Sequence, residues 1–191
     1  MTKLPDYINP GIRVLFVGIN PGLRSAAVGH HFAGYSNRFW KLLTESKLVP
    51  LKLSYYDDWR LPQWGLGLTN LVVRETSGSH ALTAEDYQIG RERLASKIRR
   101  HRIALIALLG VTLQPILFPQ KPNRSAQLAH KLSKPKFGFQ PWRFAGARVF
   151  LLPNPSGRNA HYSYADMLIY FKRLSKIVRA RKSEKGEIKN P

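Results

Sequence analysis

A short apolar run that breaks at a glycine turn constrains this chain more than any other feature. Arg13-Val14-Leu15-Phe16-Val17 leads directly into Gly18-Ile19-Asn20-Pro21-Gly22. An apolar run without polar alternation reads as a strand buried on both faces, the pattern of a parallel sheet. A glycine turn at its carboxyl end lies where open α/β sheets hold their ligands. The two glycines let main chain come close to a flat ligand. Pro21 fixes φ and stops the strand. Asn20 is left with an amide that carries two donors and an acceptor oxygen. The same pentapeptide also suits an ordinary strand-to-loop turn.

The rest of the chain repeats the alternation of strand and helix. A Gly-, Ser- and His-rich loop over 20–36 contains Gly29-His30-His31-Phe32. Ser36 has the chemistry of an N-cap for a helix over 37–46 that turns Phe39, Trp40, Leu42 and Leu43 inward. Residues 47–66 look irregular or weakly helical, and their aromatic cluster of Tyr55, Tyr56, Trp59 and Trp64 reads as packing rather than as a platform for a base. A second strand is expected over 67–73. Thr83 and Asp86 form a capping-box start for a helix that runs to about Arg100. Ile103 to Leu109 is apolar throughout and is expected to be a central parallel strand. A short helix over 111–118 follows, then a basic loop over 119–143 with an edge strand near Phe139. Arg148 to Leu152 is the last strand and opens into Pro153-Asn154-Pro155-Ser156-Gly157-Arg158-Asn159. A closing helix over 164–180 repeats its apolar positions at helical spacing.

The predicted fold is therefore α/β, a three-layer α/β/α sandwich around a mostly parallel sheet of four or five strands. Two polar loops leave strand ends near opposite ends of the chain and can meet at one crevice. The expected organisation is a lead-in over 1–12, a single domain over 13–180 and a basic, disordered tail over 181–191. With 191 residues and 43% hydrophobic content, the chain is long and apolar enough for such a core.

Charge is the strongest global signal. The formal net charge is +20. Residues 176–191 contribute six basic and two acidic residues, a net +4 that leaves +16 on the body. A body that basic points to a polyanion partner, nucleic acid before membrane. The chain has no cysteine, which excludes disulfides, thiol nucleophiles, iron–sulfur ligation and cysteine-type zinc sites. No metal and no cofactor are expected. Without a signal-peptide pattern or an apolar run of about 18 residues, the expectation is a cytoplasmic protein off the membrane. There is no Gly-x-Gly-x-x-Gly and no phosphate-loop Lys-Ser/Thr after the glycine turn. None of the 11 acidic residues falls in either strand-end loop, so paired-carboxylate chemistry is excluded there.

These motifs together carry a resemblance. Gly18-Ile19-Asn20-Pro21-Gly22-Leu23, Gly29-His30-His31-Phe32, Asn37-Arg38-Phe39-Trp40, Gly67-Leu68-Thr69-Asn70-Leu71-Val72 and Leu152-Pro153-Asn154-Pro155-Ser156-Gly157-Arg158 resemble the mismatch-specific uracil/thymine-DNA glycosylases. These form the double-strand-acting branch of the uracil-DNA glycosylase superfamily. The likeness covers roughly residues 13–180. It implies a monomeric, monofunctional enzyme of base excision repair, associated with the nucleoid. Such an enzyme flips uracil, or thymine, out of a mispair with guanine in double-stranded DNA and hydrolyses the N-glycosidic bond.

The resemblance also assigns roles. Asn20 is the catalytic residue that positions the water. Gly18 and Ile19 present main chain to the base, Phe32 stacks on it, and Asn154 stands where the uracil-specific branch has a histidine. His31 either touches the base or caps its loop. Thr69 either faces the pocket mouth or makes a structural hydrogen bond. Ser156, Gly157, Arg158 and Asn159 are expected at the DNA, with Arg158 as the wedge that fills the vacated stack. Glu75 either helps orient the water or is a solvated loop acid. Asn20 cannot take a proton at neutral pH as an aspartate can, which predicts a slow enzyme. No lysine lies in either motif, so Schiff-base strand cleavage is not expected. Two other readings remain: a non-catalytic binder of mismatched or abasic DNA, and an α/β enzyme acting on a free nucleoside.

Overall fold

The computed structural model describes residues 4–119 and 136–186, with side chains described to residue 180. Its centre is a five-stranded sheet in the order β2-β1-β3-β5-β4. The strands are Val14–Gly18 (β1), Leu66–Asn70 (β2), Leu105–Leu109 (β3), Gly138–Phe144 (β4) and Ala147–Leu152 (β5). The first three and β5 run parallel, and β4 is an antiparallel edge paired to β5. β1, β2 and β3 are buried at every position; the apolar runs of β1 and β3 predict this, while β2 buries Thr69 and Asn70 at its end as well.

Side-chain alternation along these strands divides the core in two. Val14 and Phe16, Leu66 and Leu68, Leu105 to Leu109 at every second residue, and Phe150 and Leu152 face one layer. There they meet helix α2 (Phe39–Glu45) and the closing helix α5 (Tyr164–Gly186) through Phe39, Leu43, Phe171 and Leu174. Leu15, Val17, Ile106, Leu108, Val149 and Leu151 face the other layer. That layer holds α3 (Ala84–Arg100) and α4 (Leu113–Leu117). The expected three-layer α/β/α sandwich is the observed architecture.

Several elements differ from expectation. The loop after β1 contains a six-residue helix, α1 (Leu23–Val28), which has no capping side chain to announce it. Ser36 does not cap α2; Asn37 Oδ1 accepts the Phe39 N–H at 3.0 Å instead. Residues 55–64 form a 3-10 helix opened by a Ser54–Asp57 capping box. Thr83 and Asp86 cap α3 reciprocally, as their spacing predicts. The backbone of α5 continues to Gly186, into the segment expected to be a disordered tail; residues 187–191 lie outside the described residues. Most of the basic loop expected over 119–143 also lies outside them, but the edge strand near Phe139 is present as β4.

The segment before β1 is more than a lead-in. Tyr7 pairs with Leu68 across the outer edge of β2, with N–H···O distances of 3.0 and 3.1 Å. Asp6 bonds Lys97 at 2.7 Å, and Leu4 is buried. No helix among the described residues is long and apolar enough to cross a membrane.

Candidate active site

The two core rows end differently at the carboxyl edge of the sheet. On the α2/α5 side, Val14-Phe16 continues to Gly18, Leu66-Leu68 to Asn70, and Phe150-Leu152 to Asn154. The sheet therefore trades apolar rows for a glycine and two amides at one rim. These three residues line a cleft of about 680 Å³. The loops after β1 and β5, the segment 76–80 and the turn at Gly110 complete its walls.

Asn20 stands in this cleft, held by its nitrogen alone. Nδ2 donates to Pro21 O at 3.1 Å, Arg74 O at 3.1 Å and Thr76 Oγ1 at 2.7 Å. Two of these partners are carbonyls and can only accept. The third spends its own hydrogen on Gly78 O at 2.7 Å. The amide orientation is thus fixed by chemistry. Its Oδ1 has no protein donor among the described residues and is free to hold a water.

Gly18 is required by close approach. A Cβ there would stand 2.4 Å from Asn70 Oδ1 and 3.4 Å from the Phe32 ring. Ile19 lines the cleft with main chain, while its side chain packs against the α3/α4 core. Phe32 adopts a positive φ of 53° and lies on Phe39 with ring centroids 4.3 Å apart. A bulky residue in the left-handed region marks a loop held against its own preference.

The hold comes from beneath. His31 is 1% exposed, and its Nε2 lies 2.8 Å from Pro5 O. A carbonyl only accepts, so Nε2 carries the proton and Nδ1 is an acceptor, without a partner among the described residues. Burial pushes the imidazole below its ordinary value, which keeps it neutral. The His31 N–H donates to Asp58 Oδ2 at 2.8 Å, and His30 Nδ1 lies 3.0 Å from Asp58 Oδ1. Asp58 is fully buried. Burial and this neighbouring carboxylate push the Tyr7 phenol up to about 12. A buried carboxylate with these partners anchors the loop that presents Phe32.

The second loop is bonded to itself. Asn154 Oδ1 accepts the Ser156 N–H at 2.9 Å, and Asn159 Nδ2 donates to Asn154 O at 2.9 Å. Asn159 Oδ1 also accepts the His161 N–H at 3.2 Å. Both ends of the Asn159 side chain thus shape the loop, and Asn159 lines the cleft beside Arg158. Asn154 keeps its Nδ2 for the cleft. Gly157 packs on Ser36, where a Cβ would come within 2.2 Å of Ser36 Cβ and Oγ. Ser156 accepts the Arg158 N–H at 3.3 Å. Arg158 is exposed, and its Nη1 donates to Ser77 O at 2.5 Å, joining the loop after β5 to the segment 76–80.

Thr69 is a correction. It does not line the cleft. It is fully buried on the opposite face of β2, where its Oγ1 donates to Asp6 at 2.6 Å and Lys97 Nζ donates to it at 3.0 Å. Asn70, one residue on, takes the position expected of it. The period of two along β2 could have found this, since Leu66 and Leu68 share the parity of Asn70. Thr76 and Ser77 were also missed, because loop-to-loop contacts leave no local pattern. Glu75 is not among the cleft-lining residues. Among the described residues no three metal-binding side chains converge.

Two comparisons bear on this site. The family model described as the uracil DNA glycosylase superfamily matches residues 5–178. A relative from Schizosaccharomyces pombe (strain 972 / ATCC 24843), named G/U mismatch-specific uracil DNA glycosylase, is 38% identical over 164 residues. That alignment covers 84% of this chain and 49% of the relative, so the chain spans about half the length of the curated relative it matches. The match runs through both strand-end loops and the cleft between them, and the chain belongs to the uracil DNA glycosylase superfamily.

Proposed function

We propose that this chain is a monofunctional DNA glycosylase that hydrolyses the N-glycosidic bond of uracil mispaired with guanine in double-stranded DNA. The observation that carries the reading is the orientation of Asn20. All three of its hydrogen bonds are made by nitrogen, which leaves its oxygen without a protein donor among the described residues and free to hold a water. A base flipped out of the duplex stacks on Phe32. Asn70 and the free Nδ2 of Asn154 meet its polar edge. As the C1′–N1 bond breaks, its electron pair leaves with the uracil. Negative charge then spreads over the base oxygens, where amide and main-chain N–H donors stabilise it. The water on Asn20 forms the new C1′–O bond and gives its proton to solvent, because an amide cannot take it. The product is an abasic site in an uncut strand, since no lysine lies in either strand-end loop. Arg158 fills the vacated stack.

The +20 net charge of the chain supports a nucleic-acid substrate over a free nucleoside. The reading carries with it a monomer working on the nucleoid in the cytoplasm. Thymine differs from uracil by one methyl group, worth about 1–3 kcal/mol of discrimination, so G·T is the second substrate of this reading.

Single-turnover release from an end-labelled duplex with one G·U pair tests it, with G·T, A·U and single-stranded uracil alongside and alkali to reveal abasic sites. Release fastest from G·U, lost in Asn20→Ala, is expected. No release from any substrate, with tight binding to an abasic duplex, would make the chain a non-catalytic binder.

A further inference from the structure

Next to the cleft lies a set of exposed rings that the proposed reaction does not use. Tyr35 is 89% exposed, yet it is not loose. The Arg24 guanidinium sits 3.7 Å from its ring centroid and donates to its hydroxyl at 2.6 Å. The same guanidinium is fixed by Ala33 O at 2.8 Å and reaches the Tyr55 hydroxyl at 3.4 Å. Tyr55 and Tyr56 lie with ring centroids 4.3 Å apart, and His30 holds the Tyr56 ring edge-on at 5.3 Å. Tyr56 is 61% exposed. Trp59, 57% exposed, follows it by one 3-10 turn, which eclipses the two side chains. Sequence reasoning took this aromatic cluster for packing; Trp64 and Tyr55 do pack on the core, but Tyr56 and Trp59 face outward.

Single exposed aromatics need no explanation, but a contiguous, pre-positioned group does. Position and charge indicate what it meets. Gly34 and Ser36, on either side of Tyr35, both line the cleft, and Ser36 touches Gly157 next to Arg158. Arg24 also lines the cleft, and no carboxylate among the described residues pairs with it. An uncompensated cation beside exposed rings suits a nucleotide, with the phosphate on the guanidinium and the base on the ring.

We infer that Arg24, Tyr35 and Tyr56 form a second stacking site, which takes an unpaired base of the DNA strand flanking the flipped nucleotide. The inference rests on the glycosylase reading for the identity of the strand, but its binding chemistry needs no catalysis. A stacking site pays off where the flanking pair is already open, so uracil beside a mispair or in a bubble gains most from it. Rings held in place before binding lose little freedom on contact.

The test uses fluorescein-labelled oligothymidylate of twelve nucleotides, which contains no uracil, and reads its affinity by anisotropy across a salt series. Tyr35→Ala and Tyr56→Ala should each weaken binding by roughly fivefold or more, with the salt slope unchanged. Tyr35→Phe, which keeps the ring, should bind as the unmodified protein does. Equal affinity in both alanine variants overturns the inference. So does a loss that disappears at high salt together with a shallower salt slope, since that reports phosphate contact alone. Base release from G·U with oligothymidylate binding unaffected by the alanine variants would leave the glycosylase reading standing and this one fallen. Weakened binding in the variants, with no base release from any substrate, would do the reverse.

Discussion

The side chain at the head of the loop that leaves β1 is held chiefly by a distant part of the chain, whereas the side chains of the loop that leaves β5 bond mostly to that loop itself. Asn20 hangs from Arg74 O and Thr76 Oγ1, more than fifty residues away. Asn154, Ser156 and Asn159 close a ring of hydrogen bonds within six positions. The contrast separates two tasks. In the proposed reaction a water-holding oxygen has to be placed to a fraction of an ångström relative to a base, and the Asn20 side chain is cross-linked to a third loop. In the proposed reaction a wedge has to project and to yield, and Arg158 sits on a turn with two outside tethers, Ser77 O and the Arg38 N–H that donates to Pro155 O at 2.9 Å.

The sharpest way to break this comparison is Asn20→Ala. Base release should fall at least about a hundredfold, with the duplex dissociation constant unchanged. Asn20→Asp should not restore it. A carboxylate would turn an oxygen toward the carbonyls of Pro21 and Arg74, where only a donor is tolerated. Thr76→Val keeps the shape and removes one tether. Single-turnover release should slow by roughly tenfold, and a silent Thr76→Val would mean that the Arg74 carbonyl alone suffices to place Asn20. On the other side, Gly157→Ala forces a Cβ into Ser36. A loss of about 1–3 kcal/mol in urea unfolding, with weaker duplex binding, is expected; an unchanged midpoint would show that the β5 loop moves freely.

Acid probes the floor of the cleft. His31 is held neutral by burial, below its ordinary 6.5, so the unfolded chain binds the proton more readily. Stability from this group is complete above about pH 6.5 and is lost as the pH falls through the lower folded value. Melting temperature should drop over that window, and drop less in His31→Gln. Identical curves would place the acid sensitivity elsewhere. The smallest effect belongs to Thr69→Val. It sits on the opposite face of β2, so it should leave base release within about twofold of the unmodified rate and shift only the melting temperature.

What the sequence disclosed depended on how local the cause was. The buried strands, the Thr83–Asp86 cap and the two strand-end motifs each rest on a few adjacent residues, and all were legible. Of the two readings of Thr69 the structural hydrogen bond holds, because a period of two turns a one-residue choice into a change of side. Asn37 was passed over for Ser36 because both are good caps, and which of them reaches the Phe39 N–H is set by the fold of the loop. Thr76, Ser77 and Asp58 do their work across 27 to 81 residues, and no window of sequence contains both partners.

The pairing of Tyr7 with Leu68 has a consequence for how copies of this protein treat one another. A sheet with bare edge strands is a template onto which a second chain can add its own strand. Here the outer edge of β2 is interrupted by the beginning of the chain. The opposite edge, β4, carries Pro141 and Arg143 within a shifted register. Proline removes a donor and arginine adds a charge, and both discourage lateral growth. One edge is thus stopped with borrowed backbone and the other with side-chain chemistry, so neither edge of the sheet invites a second copy to add a strand.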